Sequence, residues 1–231
     1  CLDGTWNDDG DNKWGEPGED DLLAELSVGR LCFDSPAELE NMIDKLILYQ
    51  DSPVIEDIEK ALMLGENLDS QPTWGGDSKD EVADGSNTFG HDTEGVPEYF
   101  EVTRLYDRDI NYNKHDIFDE FSDNGTHMLN HLGHSNTTYN MKMNTSDLTT
   151  GHFSNDGISR GFVIGYSQGC YNGSFDNRGT NPNSYGSDCF AEQITAIETA
   201  EVASIANSRY GWYSPGNTNG PSQFFDREFY D

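Results

Sequence analysis

Between Tyr99 and Ala206 short apolar runs alternate with helical segments, and this alternation limits the fold more than any other feature of the chain. The runs Tyr99 to Leu105, Thr126 to Asn130, Phe162 to Ser167 and Val202 to Ala206 read as strands, and helical spacing appears around His115 to Phe121 and from Cys189 to Ala200. Strands separated by helices predict a largely parallel α/β sheet with helices on both faces. Ligands bind such sheets beyond the carboxyl ends of the strands, so the loops after Asn130, Ser167 and Ala206 should converge on one edge.

Two of those loops carry chemistry. Asn130-His131-Leu132-Gly133-His134-Ser135 follows one strand, and Gln168-Gly169-Cys170-Tyr171-Asn172-Gly173 follows another. A thiol attacks as its thiolate, and an imidazole that takes its proton is the usual activator, so the pair predicts a Cys/His peptidase. A lone cysteine is more often a small buried hydrophobe and a lone histidine a satisfied polar side chain. Gly133 and Gly169 weigh against that plainer reading. A tight turn there lifts a reactive side chain off a strand end and brings backbone N–H groups near a substrate.

Upstream, Ser27 to Cys32 reads as a strand, and Ser35-Pro36-Ala37-Glu38 supplies an N-cap, a proline at N1 and a capping-box glutamate. Leu39, Met42, Ile43, Leu46 and Ile47 define the buried face of the helix that follows, to about Tyr49. Asp51-Ser52-Pro53 breaks it and marks a subdomain boundary, with 1–53 the end of a non-catalytic N-terminal subdomain and 54–231 the body of a second. Lys60 to Gly65 is a short apolar run, and Gln71 to Thr93, polar and rich in Gly and Asp, reads as a long loop. Near the start, Asn7, Asp9 and Asp11 alternate in an Asp/Gly loop, with a carbonyl at Lys13 and a carboxylate at Glu16, imitating the ligand order of calcium loops. Asn12 stands where an EF-hand has glycine and Glu16 comes too early, so a structural calcium site of another type is expected; a polar turn is the alternative.

Forty-three acidic against 13 basic residues, a formal charge of −30, repel nucleic acid and anionic membranes, so neither is an expected partner. Such an excess suits a calcium-rich or salty extracellular setting, although a solvated acidic surface accounts for most of it. No apolar run approaches the roughly 20 residues that span a bilayer. Cys1-Leu2-Asp3-Gly4 lacks the regions of a signal peptide, and the amphipathic segment from Pro221 stops without a capping signal, so the chain reads as part of a longer one. With Cys170 a free nucleophile, Cys1, Cys32 and Cys189 leave at most one disulfide and one odd thiol.

At these residues the sequence closely resembles the gingipain-type cysteine peptidases, peptidase family C25. The stretches that carry the resemblance are Leu2 to Asp11, Val28-Gly29-Arg30, Thr73-Trp74-Gly75-Gly76-Asp77, Asn130 to His134, Gln168-Gly169-Cys170, Asp188 to Glu192, Asn207 to Trp212 and Gly220 to Gln223, in family order. The resemblance implies a caspase-like three-layer α/β/α sandwich with a largely parallel central sheet. It further implies Cys170 as nucleophile, His134 as general base and acid, and the backbone N–H groups of Cys170 and Ser135 as the oxyanion site. Ser135 stands where relatives often have glycine, which points to a changed pocket rather than lost activity. His131 is expected to be structural and is the first substitute for His134. Glu66 is the best match for a third, orienting carboxylate. Asp77 or Asp80 is expected to line the pocket for the residue preceding the scissile bond, where an acid selects Arg or Lys, with Trp212 covering that pocket. A solvated acidic loop and a core tryptophan are the competing readings.

The expectation is therefore a secreted or surface-attached bacterial cysteine endopeptidase acting on protein or peptide substrates, with structural calcium and no organic cofactor, alongside other domains of its own precursor. A processing peptidase for exported proteins is a second possibility. A non-catalytic surface or filament component that keeps the fold is a third.

Overall fold

The computed structural model describes residues 6–16, 18–19, 27–179, 181 and 186–230. Cys1 and the Leu2 to Thr5 part of the first family stretch lie outside the described residues. The chain forms two units, Cys1–Leu31 and Cys32–Asp231. In the first, the loop closes through a bond from the Gly15 amide to the Trp6 carbonyl at 2.7 Å. Among the described residues, Ser27 to Cys32, expected as a strand, belongs to neither sheet and is largely exposed. Its apolar residues have no sheet neighbour, and alternation without a partner edge does not make a strand.

The second unit is a five-stranded, all-parallel sheet in the order β2-β1-β3-β6-β7, built from β1 (Lys60–Gly65), β2 (Glu101–Tyr106), β3 (Met128–Leu132), β6 (Val163–Ser167) and β7 (Glu201–Ala206). A separate two-residue pair, β4 (Tyr139–Asn140) and β5 (Met143–Asn144), lies between β3 and β6 in the chain. Strands covered on both faces are apolar on both. Leu62, Leu64, Leu129 and Val163 pack on one face with Ile117, Phe118 and Phe121 of α3 (Lys114–Asp119) and the turn after it, and with Phe190 and Ile194 of α4 (Phe190–Ala196). On the other face Ala61, Met63 and Tyr106 pack with Val82 and Ala83 of α2 (Gly75–Asp84) and Tyr230 of α5 (Pro221–Tyr230). These are the three layers of the expected sandwich.

Three local expectations are revised. The segment read as a loop from Gln71 to Thr93 contains α2. Its glycines look like loop residues, but they let the helix start against the strand ends: a Cβ on Gly75 would collide with the Leu132 carbonyl and one on Gly76 with the Tyr106 ring. The helix α1 (Pro36–Asp51) has the expected capping box, with the Glu38 amide on Ser35 Oγ at 3.3 Å and the Ser35 amide on Glu38 at 3.1 Å. Its buried face, however, is turned: Met42 and Lys45 are buried whereas Ile43 and Ile47 are exposed. Lys45 donates to the carbonyls of Thr199 at 3.2 Å and Glu201 at 2.6 Å, so α1 packs against the start of β7 inside the larger unit. Helix α4 ends at Ala196, short of the expected Ala200, because Thr199 and Ala200 already lead into β7.

Candidate active site

Parallel strands deliver their following loops to the same edge, and four of them meet here. Glu66 to Thr73 follows β1, Gly133-His134-Ser135 follows β3, Gln168-Gly169-Cys170 follows β6, and Asn207 to Trp212 follows β7. The last two loops are joined by backbone bonds from Tyr171 to Arg209 at 2.7 Å and from Gly173 to Asn207 at 3.0 Å, and by Asn207 Nδ2 on the Gln168 carbonyl at 2.9 Å. Cys170 is half-buried, with Sγ 3.7 Å from the Gly211 carbonyl. The histidine loop touches the cysteine loop directly, Ser135 Oγ donating to the Cys170 carbonyl at 2.7 Å.

The imidazole of His134 is exposed at the edge, and its Nε2 lies 2.8 Å from the Leu68 carbonyl. A carbonyl only accepts, so Nε2 carries the hydrogen and the lone pair is on Nδ1, the tautomer a general base needs. Tyr213 reaches across from the β7 side, its hydroxyl 3.4 Å from both the Leu68 carbonyl and Asp69 Oδ2. Burial raises the pKa of that phenol, and the neighbouring Asp69 adds to the effect. Leu68 was not anticipated from sequence. A backbone carbonyl has no residue signature.

Glu66, expected to orient the imidazole, works one layer below it. Its carboxylate is buried, accepts the His134 backbone N–H at 3.3 Å and meets His131 Nε2 at 3.1 Å. His131 is fully buried and its Nδ1 is 2.8 Å from Ser167 Oγ, which accepts the Gly169 amide at 3.2 Å. A polar chain thus runs under the sheet edge from the His134 amide to the residue before Cys170. Gly133 makes room for it, since a Cβ there would strike both the Glu66 carboxylate and the His131 ring. Among the described residues the amides of Cys170 and Ser135 have no acceptor. Free N–H groups are what an oxyanion site requires.

Asp77 and Asp80, expected to line the substrate pocket, are engaged by arginines of the chain. They lie on α2 facing the β2 edge, where Arg108 pairs with both, Asp80 at 2.7 Å, and Arg104 reaches Asp80 at 2.8 Å. These acids are already matched by guanidinium groups of the chain itself. Trp212 is in the loop after β7 at the same edge and 63% exposed, its backbone fixed by Ser222 through bonds of 2.9 and 3.2 Å. Tyr210 lies between it and Tyr171, with ring centroids 6.0 and 4.9 Å apart. An aromatic row therefore borders Cys170. Behind it Arg209 grips Asp176 at 2.7 Å and holds that carboxyl well below its ordinary range.

In the first unit the ligand atoms of Asp9, Asp11 and Glu16 lie within 4.8 Å of one another. Among the described residues the buried Asn7 Oδ1 has no partner, and hard oxygen donors of this kind suit calcium. Lys13 presents its ammonium to Glu16 at 2.8 Å, a contact that a bound cation would replace.

A family model described as peptidase family C25 matches residues 1–231. The fold matches the crystal structure of the Arg specific cysteine proteinase gingipain R, RgpB, with a TM-score of 0.60 at 20% identity over 79% of this chain and 40% of that one. It also matches the complex of Porphyromonas gingivalis RgpB pro- and mature domains, with a TM-score of 0.58 at 21% identity over 80% of this chain and 41% of that one. The chain thus spans about two fifths of the solved structures it resembles. No curated protein sequence matches it.

Proposed function

The chain belongs to peptidase family C25, and from that premise we propose that it hydrolyses peptide bonds through an acyl-enzyme on Cys170. His134 Nδ1 takes the thiol proton, the thiolate attacks the carbonyl carbon, and the oxyanion falls to the amides of Cys170 and Ser135. The imidazolium then protonates the departing amine, and a water deprotonated by the same nitrogen releases the acid. The observation that carries the reading is the bond from His134 Nε2 to the Leu68 carbonyl, which leaves a base facing out from a loop tied to Cys170.

The substrate is a protein or peptide. A basic residue before the scissile bond is favoured by the exposed Trp212 ring, which offers a face to a long cationic side chain, and by the acidity of the whole chain. Asp77 and Asp80 contribute less to that choice, because Arg104 and Arg108 offset their charge. Calcium, held by Asp9, Asp11 and Glu16 with Asn7, supplies structure and no chemistry. Secretion, and a pro-domain like that in the RgpB complex, complete the reading.

Labelling with peptidyl electrophiles carrying Arg, Lys or an uncharged residue at P1, mapped by mass spectrometry, tests it. Modification of Cys170 that is lost in His134→Ala is the expected result, with hydrolysis reduced at least about 10³-fold. Absence of labelling in folded, calcium-loaded protein would assign the chain to the non-catalytic alternative.

A further inference from the structure

The peptide that joins Cys170 to Tyr171 is held at both ends by neighbouring loops. Its carbonyl accepts the Ser135 hydroxyl at 2.7 Å, and its N–H donates to the Arg209 carbonyl at 2.7 Å. Tyr171 sits at φ 60°, a left-handed conformation that a side chain of its size rarely adopts without restraint. The Ser135 side chain reaches the carbonyl because Gly169 leaves space: a Cβ on Gly169 would collide with Ser135 Cβ. Below, the Gly169 amide is fastened to Ser167.

We infer that Ser135 is a positioning residue, whose hydroxyl fixes the Cys170–Tyr171 peptide and thereby the spacing between the histidine and cysteine loops. The assignment rests on the peptidase reading of the same site. A hydroxyl is the economical device here: Ser135 directly follows His134, so one hydrogen bond couples the base to the nucleophile before substrate arrives. It also turns the Cys170 carbonyl toward Ser135 while the Cys170 amide keeps no acceptor among the described residues. Glycine at this position would supply the amide of the oxyanion site but not the tie.

The test measures steady-state hydrolysis of a peptide substrate by Ser135→Ala, Ser135→Thr and Ser135→Val, after wild-type Cys170 has been labelled by a peptidyl electrophile. Expected is a kcat about tenfold lower in Ser135→Ala with KM unchanged within about twofold, as small misplacement of reacting groups produces. Threonine keeps the hydroxyl and valine has nearly its shape, so Ser135→Thr should retain kcat and Ser135→Val should lose it. That pair carries the test even if Ser135→Ala folds poorly. Equal kcat in the Thr and Val variants, or an unchanged kcat in Ser135→Ala, would overturn the inference and leave the peptidase reading intact. Failure of wild-type labelling would remove both.

Discussion

At the scale of single residues, the geometry divides the work of orienting His134 between two acceptors. The Leu68 carbonyl holds the ring and the Glu66 carboxylate holds the backbone N–H. Glu66→Gln should therefore lower kcat by about tenfold. A loss of about 10⁴-fold, as when a carboxylate that sets the tautomer is replaced, would mean that Glu66 acts on the ring itself. The placement of Cys170 and His134 in adjoining strand-end loops was legible in the sequence, because a polar side chain behind a strand-end glycine is a local pattern. Asp77 and Asp80 were legible only as acids. Their partners Arg104 and Arg108 come from β2 and the turn after it, and no spacing within Thr73 to Asp77 announces them.

At the scale of elements, buried charge explains what amphipathic patterns missed. Lys79 of α2 and Asp226 of α5 form a fully buried ion pair, and Asn130 of β3 is bonded to both at 2.5 Å. Lys79→Met leaves an unpaired buried carboxylate and should cost about 3–5 kcal/mol in urea unfolding, whereas Lys79→Met with Asp226→Leu should recover most of it. The N-terminal end of the sheet carries a second pair. Burial pushes Glu201 up to about 8 from an ordinary 4.5, and pushes Lys45 down to about 7 from 10.5. Folding thus takes up a proton at Glu201 between its two values, and stability from this group falls as pH rises through that window. Lys45 is charged in both states until pH nears 7, so between pH 5 and 7 the Glu201 slope stands alone. Relative to Glu201→Gln, the wild type should lose on the order of 1 kcal/mol per pH unit there, read from paired thermal or urea melts. Parallel profiles would refute it. The same buried Lys45 accounts for the turned face of α1: periodicity counted Ile43 and Ile47 as core, but two carbonyls at the start of β7 needed a donor.

At the scale of the whole molecule, a formal charge of −30 disfavours every compact state through self-repulsion. Raising ionic strength from about 0.01 to 0.15 M shortens the screening length from about 30 to 8 Å, so the melting temperature should rise. Calcium at matched ionic strength should add a further increment that Asp9→Asn with Asp11→Asn removes; an equal response in that variant would dismiss the site. By itself the sequence determined the parallel α/β layers, the edge at which the strand-end loops gather and the placement of Cys170 and His134 on them, because each is written in periods and neighbours along the chain. Only the tertiary structure decided which groups serve those side chains. The carbonyl that sets the His134 tautomer is 66 residues away and the hydroxyl that holds the Cys170 peptide is 35 residues away. Such partners are chosen by which loops the sheet order brings together, and local sequence carries no physical record of that.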